Sequence, residues 1–180
     1  MKIARQLKDS NIAEYVLYMF QLEDTLRAYG CDAERMRDEY VTRFDWSYAD
    51  REAEAQWLEG LCGMMVSEGK TEHGHLQSTL GTISLMTDLH LTLLRSPKHP
   101  FYSAAYYKAL PYIVEFRAKS KGEGAPELQN CLEMLYGVML LRLQKREISK
   151  ETQEALAPVT HLLALLSDAW QKERTGELEI

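Results

Sequence analysis

The run HLQSTLGTISLMTDLHLTLLR, residues 75–95, decides the fold class. At 100° per residue, Leu76, Leu80, Ile83, Thr87, His90, Leu91 and Leu94 fall within about 60° of one direction. Leu85, Met86, Leu89 and Leu93 cover much of the remaining circumference, leaving a polar strip of Ser84, Asp88, Thr92 and Arg95. A helix apolar almost all round is buried on several sides. The segment is therefore expected at the centre of an all-α bundle, with a polar seam along one edge and a stop at Ser96-Pro97.

The flanking punctuation is helical too. Asn11, with Glu14 three residues on, has the pattern of a capping box, followed by Ile12, Val16, Met19, Phe20, Glu23 and Leu26 on one side and Gly30 as a stop. Asp32 heads a shorter helix with Met36, Tyr40 and Phe44 along one stripe. Ser47 or Asp50 opens the next, with Trp57, Leu58, Leu61, Met64 and Met65 inward, and Gly69 ends it.

Beyond the central segment, Pro100 begins a helix that Pro111 must kink or split, since proline lacks the N–H and crowds the preceding turn. Pro126 suits a first helical position ahead of Leu128, Cys131, Leu132, Leu135, Val138 and Met139. Ser149 caps a last helix carrying Leu156, Val159, Leu163, Leu166 and Trp170, kinked near its start by Pro158 and fraying after about residue 173. Alternating β-branched runs are missing. The expectation is one domain over residues 1–180, a bundle of about six or seven helices, whose longest loop lies around Lys119–Ala125.

Composition narrows the function classes. Cys31, Cys62 and Cys131 are odd in number, widely spaced and without a CxxC pair, which suits a reducing compartment. The apolar run after Lys2, Arg5 and Lys8 is broken by Glu14, so no signal peptide is read, and no run approaches the roughly 20 residues of a membrane span. A cytoplasmic protein without membrane association is expected. The net charge of −6 argues against general nucleic-acid affinity, but Arg95–Lys121 holds six basic residues against the single acidic Glu115, a local +5 that leaves −11 for the rest.

Candidate chemistry concentrates near that segment. A buried Asp88 would need a partner, and Thr92 and Arg95 follow it along the same edge. A satisfied network or solvated edge competes there with a polar pocket flanked by tyrosines. Arg95, Lys98 and Arg117, with the helix start after Pro97–Pro100, form a candidate anion site. Tyr102, Tyr106, Ala109, Ile113 and Phe116 share one face that reads as core, against Lys108, Glu115 and Lys119 opposite.

Among the five histidines, Glu72-His73-Gly74-His75 contains Glu-x-x-His, but no second copy accompanies it and His-Glu-x-x-His is absent. His75, His90 and His161 are left as an open question of convergence, and no metal or other cofactor is expected. Arg95 and His99 are too close for the Arg-x4–6-His signature of small helical ribonucleases, and neither a nucleophilic triad nor a glycine-rich phosphate loop is present.

Residues 87–111, TDLHLTLLRSPKHPFYSAAYYKALP, together with Asn11-Ile-Ala-Glu-Tyr15 and Leu140-Leu-Arg-Leu-Gln-Lys145, resemble a bacterial family of about 180-residue proteins catalogued as a domain of unknown function. The resemblance runs over nearly the whole chain. It implies a helical single-domain protein and no activity or catalytic residue.

The leading reading is a non-enzymatic helical bundle that binds a protein partner or a small ligand, with homodimerisation expected. Its candidate ligand residues are Asp88, His90, Arg95, Lys98, His99, Tyr102 and Tyr106. The alternative is an enzyme or anion-binding protein with a polar site around Asp88, His90 and Arg95. RNA binding through residues 95–121 is a third reading, disfavoured by the net charge.

Overall fold

The computed structural model describes residues 1–119 and 125–180, without the side chain of Lys119. Lys121 of the basic segment and the interior of the loop expected around Lys119–Ala125 lie outside the described residues. Among the described residues there are eight α-helices and no strand: α1 (Lys2–Ser10), α2 (Ile12–Ala28), α3 (Ala33–Arg35), α4 (Tyr48–Ser67), α5 (Gln77–Arg95), α6 (Pro100–Lys119), α7 (Glu127–Leu143) and α8 (Lys150–Thr175). No helix among them is long and apolar enough to cross a membrane.

The caps form where the sequence places them. Asn11 Oδ1 accepts the N–H groups of Ala13 and Glu14 at 3.1 and 3.2 Å, and Asp32 Oδ1 those of Glu34 and Arg35 at 2.9 and 3.1 Å. Ser47, not Asp50, opens α4, and Ser149 opens α8. The reciprocal half of the Asn11–Glu14 capping box does not form. An N-terminal helix that the sequence reading omitted, α1, precedes Asn11, and the Asn11 N–H donates to Leu7 O at 2.7 Å to close it.

The stretch after Asp32 winds unevenly, a π turn over Met36–Tyr40 and a 3-10 turn over Val41–Arg43 following α3. Pro111 does not split α6, which is continuous. Pro111 and Tyr107, whose carbonyl loses its helical partner to the proline, both lie on the exposed face of the helix. Likewise α8 continues through Pro158, and beyond residue 173 it holds to Thr175 before the left-handed Gly176 ends it.

Two apolar cores result. One gathers Ile12, Val16 and Phe20 of α2 with Met86 and Leu93 of α5, Ala109 of α6, Leu132 of α7 and Leu162 and Leu166 of α8. The other gathers Met19, Leu22 and Leu26 of α2 with Met36, Leu58, Met65 and Leu76. The two faces of α2 thus serve both cores, and Tyr15 packs against each. The last helix closes onto the first two: Ser167 Oγ donates to Asn11 Oδ1 at 2.9 Å, and Gln171 and Arg174 donate to carbonyls of Ser10 and Lys8.

Helix α5 packs against α2, α6, α7 and α8, the central position expected of it. It is not enclosed, however. Ile83, Met86, Leu89, His90 and Leu93 are buried, whereas Leu85 is 59% and Leu91 41% exposed, alongside exposed Ser84, Asp88 and Arg95. The polar seam is therefore a broad open face, and the apolar circumference overstated its burial. Met86→Ala is expected to cost about 2–5 kcal/mol of unfolding free energy and Leu85→Ala to stay within about 0.5 kcal/mol. Denaturant unfolding of the two variants checks which way the helix faces.

Candidate functional site

The candidate residues divide into three groups. Asp88 and Arg95 share the open face of α5, two turns apart, and neither side chain has a hydrogen bond or ion pair among the described residues. His90 lies two residues from Asp88, about 200° around the helix, and is buried. The site imagined around Asp88, His90 and Arg95 is therefore not assembled: an exposed carboxylate needs no buried partner, and helical geometry turns the histidine away from it.

His90, Tyr102 and Tyr106 do converge. His90 Nδ1 is 2.6 Å from Tyr102 Oη, the Tyr106 ring meets His90 edge-on at 5.1 Å, and Tyr106 Oη donates to Glu127 Oε2 at 3.0 Å. Burial lowers the His90 pKa, with Glu127 opposing, and raises that of Tyr102. Tyr106 is pushed up to about 12 by burial and by its bond to Glu127, and Cys131 to about 12, chiefly by burial. Each of these shifts favours the neutral form of its own group.

Lys98, His99 and Tyr102 meet at the turn between α5 and α6. They line a recess of about 240 Å³ with Leu93, Leu165 and Asp168, and Leu178 forms one wall. Tyr102 links the two groups, lining this recess while its hydroxyl is held by His90. The segment after α8 runs alongside: His99 Nε2 is 2.8 Å from the backbone oxygen of Glu179, Lys98 Nζ is 3.9 Å from its carboxylate, and Leu178 packs on the core. A second recess of about 410 Å³ runs along α7, floored by Phe116, Met134, Val138 and Leu141, with Gln144, Arg146 and Thr152 on its polar side.

Of the four tyrosines in the basic segment, Tyr102 is buried and Tyr106 is tied to Glu127, so they form no open stacking row with the exposed Tyr107. His75, His90 and His161 sit at three separate places: His75 on Glu23, His90 on Tyr102, and His161 on the exposed side of α8. No group of three or more His, Cys, Asp or Glu side chains that could hold a metal ion occurs among the described residues.

Glu23, which the sequence places on one side of its helix with Ile12, Val16, Met19, Phe20 and Leu26, was assigned no role there. Glu23 is wholly buried and fully bonded: Oε2 lies 2.6 Å from His75 Nδ1, and Oε1 accepts the Leu76 N–H at 3.2 Å and the Thr79 hydroxyl at 2.8 Å. It thus caps α5 from another helix, at the positive end of that helix's dipole. Around it, Phe20 stacks on His75 at 3.9 Å, and Arg27 pairs with Asp24 while holding the Lys70 and Gly74 carbonyls. Asp24 in turn accepts the Tyr136 hydroxyl at 2.5 Å.

A helical bundle with a shared central helix and no assembled polar centre at Asp88 defines only a broad class. The comparison of sequences is more specific: the chain matches the family described as a domain of unknown function, DUF4924, over residues 1–177, and it belongs to that family. No curated protein and no solved structure matches it.

Two outcomes follow. Glu23→Ala leaves the Leu76 N–H and the Thr79 hydroxyl without their acceptor, with an expected loss of about 1–3 kcal/mol in unfolding free energy, the cost of a buried donor left unsatisfied. Because the folded pKa of His90 lies below its ordinary value near 6.5, the unfolded chain binds the extra proton as pH falls through 6.5 towards that lower value. Stability contributed by neutral His90 is thus complete above about pH 6.5 and lost below it. Unfolding curves at pH 7.5 and 5.5 should show the decrease, and His90→Gln should flatten it.

Proposed function

We propose that this bundle is a binding protein whose recess at the α5–α6 turn receives a short extended segment of acidic and apolar residues. The observation that carries this reading is the segment Glu177–Glu179, which already sits there. A backbone oxygen meets His99, a carboxylate faces Lys98, and Leu178 reaches the apolar core. Backbone capture combined with side-chain selection is how extended peptides are recognised elsewhere.

The hold on this segment is light. The Lys98–Glu179 pair is largely exposed and contributes little, and Leu178 is half-buried rather than enclosed. A partner segment of the same chemistry can therefore displace it, and so can the corresponding segment of a second copy, which is a route to homodimers. Three buried free thiols suit action in a reducing compartment such as the cytoplasm.

The small-ligand form of the reading attaches to the recess along α7. Its volume of about 410 Å³ lies within the range of natural ligand sites, roughly 300–1,000 Å³. Displacing the Glu177–Glu179 segment does not alter that recess.

The test titrates a labelled peptide of sequence Gly-Glu-Leu-Glu-Ile against the protein by fluorescence anisotropy. A tethered competitor acts at an effective concentration on the order of millimolar. Leu178→Ser, which releases the segment, is therefore expected to tighten peptide binding at least tenfold, and adding Lys98→Glu with His99→Ala to abolish that gain. Equal binding by the unmodified and Leu178→Ser proteins, or indifference to Lys98 and His99, would sink the reading.

A further inference from the structure

The cations Arg5 and Lys8 of α1 lie one turn apart on one face and border a recess of about 250 Å³ closed by Tyr15 of α2 and Trp57 of α4. The acids in the neighbourhood are already engaged. Glu54, which is buried, contacts the Met1 amino group and accepts the Lys2 N–H at 2.9 Å. Asp50 binds Lys2 Nζ at 3.0 Å, and Asp9 pairs with Arg174. Arg5 and Lys8 are left without an ion pair among the described residues, and Lys8 Nζ instead stands 5.5 Å from the Tyr15 ring centroid.

We infer that this recess is a binding site for a small aromatic anion, independent of the α5–α6 recess. Tyr15 and Trp57 supply aromatic walls on which a flat ring packs. Arg5 offers a planar fork of donors suited to a carboxylate or phosphate, and Lys8 a second, compact charge. Its volume lies below the roughly 300 Å³ at which sites for drug-sized ligands begin, which sets the size at one or two rings. An acidic ligand also supplies the negative charge that the neighbouring carboxylates, committed elsewhere, do not. Tyr15 packs against both cores, so an occupant touches the helix that the two cores share.

The experiment follows the indole N–H signals of the labelled protein by NMR during titration with 2-naphthoate and with phenyl phosphate. The matched controls are neutral 2-naphthalenemethanol and inorganic phosphate. Trp57→Phe identifies the signal of Trp57. Saturable movement of that signal with either aromatic anion, at least tenfold tighter than with both controls, is the expected result, and the stronger of the two anions distinguishes a carboxylate from a phosphate ligand. Arg5→Gln with Lys8→Gln should weaken it at least tenfold. Lys2→Gln, on the same helix but paired to Asp50 and not bordering the recess, should leave it within twofold, and backbone signals of α1 unchanged in the double variant show that the helix remains in place. The inference is overturned if the neutral compound or inorganic phosphate binds as well as the aromatic anions, if neither anion moves the Trp57 signal, or if the double variant binds unchanged.

Discussion

A carboxylate with no exposed surface needs compensation from nearby donors, and the position of α5 depends on how Glu23 finds it. Its two oxygens take a ring nitrogen, a backbone N–H and a hydroxyl, all from residues 75–79. The helix start at Leu76 has no side-chain cap of its own, and acids from elsewhere serve it: Glu23 takes the Leu76 N–H, and Glu68, just past α4, accepts the Gln77 N–H at 2.7 Å. Carboxylates from α2 and from just past α4 together mark where α5 begins. The same device recurs at α1, where buried Glu54 of α4 accepts the Lys2 N–H. In each case a helix end is defined by an acid from elsewhere in the chain, which fixes the relative height of the packed elements as apolar contact alone does not.

This explains which parts of the structure were readable in residue order. Caps and stops act within a few residues, so Asn11, Asp32, Ser47, Ser149 and the left-handed Gly30 and Gly69 could be placed from their immediate neighbours. Helix α1 was not recognised: it is short and strongly charged, and long-range contacts from Glu54 and α8 hold it. Pro111 signalled a kink or a split; the helix is not split, and the proline stands on its exposed face.

The candidate site was legible only in part, for the same reason. Lys98, His99 and Tyr102 are close in the chain, and they do meet. What completes their recess comes from far away: Leu165, Asp168 and Leu178 stand more than sixty residues further on. The pairing of Asp88 with His90 in one hypothetical site overlooked their opposite directions on α5, which the helical period itself implies. Glu23 carried a visible signal, a charged residue on an apolar stripe, whose meaning depended on a partner 52 residues away.

The closure of α8 on the N-terminal helices has a bearing on synthesis. The cap of α2 shares its oxygen with Ser167, 156 residues downstream, and α1 is clasped by Gln171 and Arg174. A ribosome delivers α1 and α2 well before α8. Until α8 has emerged, the face of α2 that carries Ile12, Val16 and Phe20 has no α8 to cover it, and that core stays open. Closure of this core therefore waits on contacts of high sequence separation rather than on the local speed of helix formation.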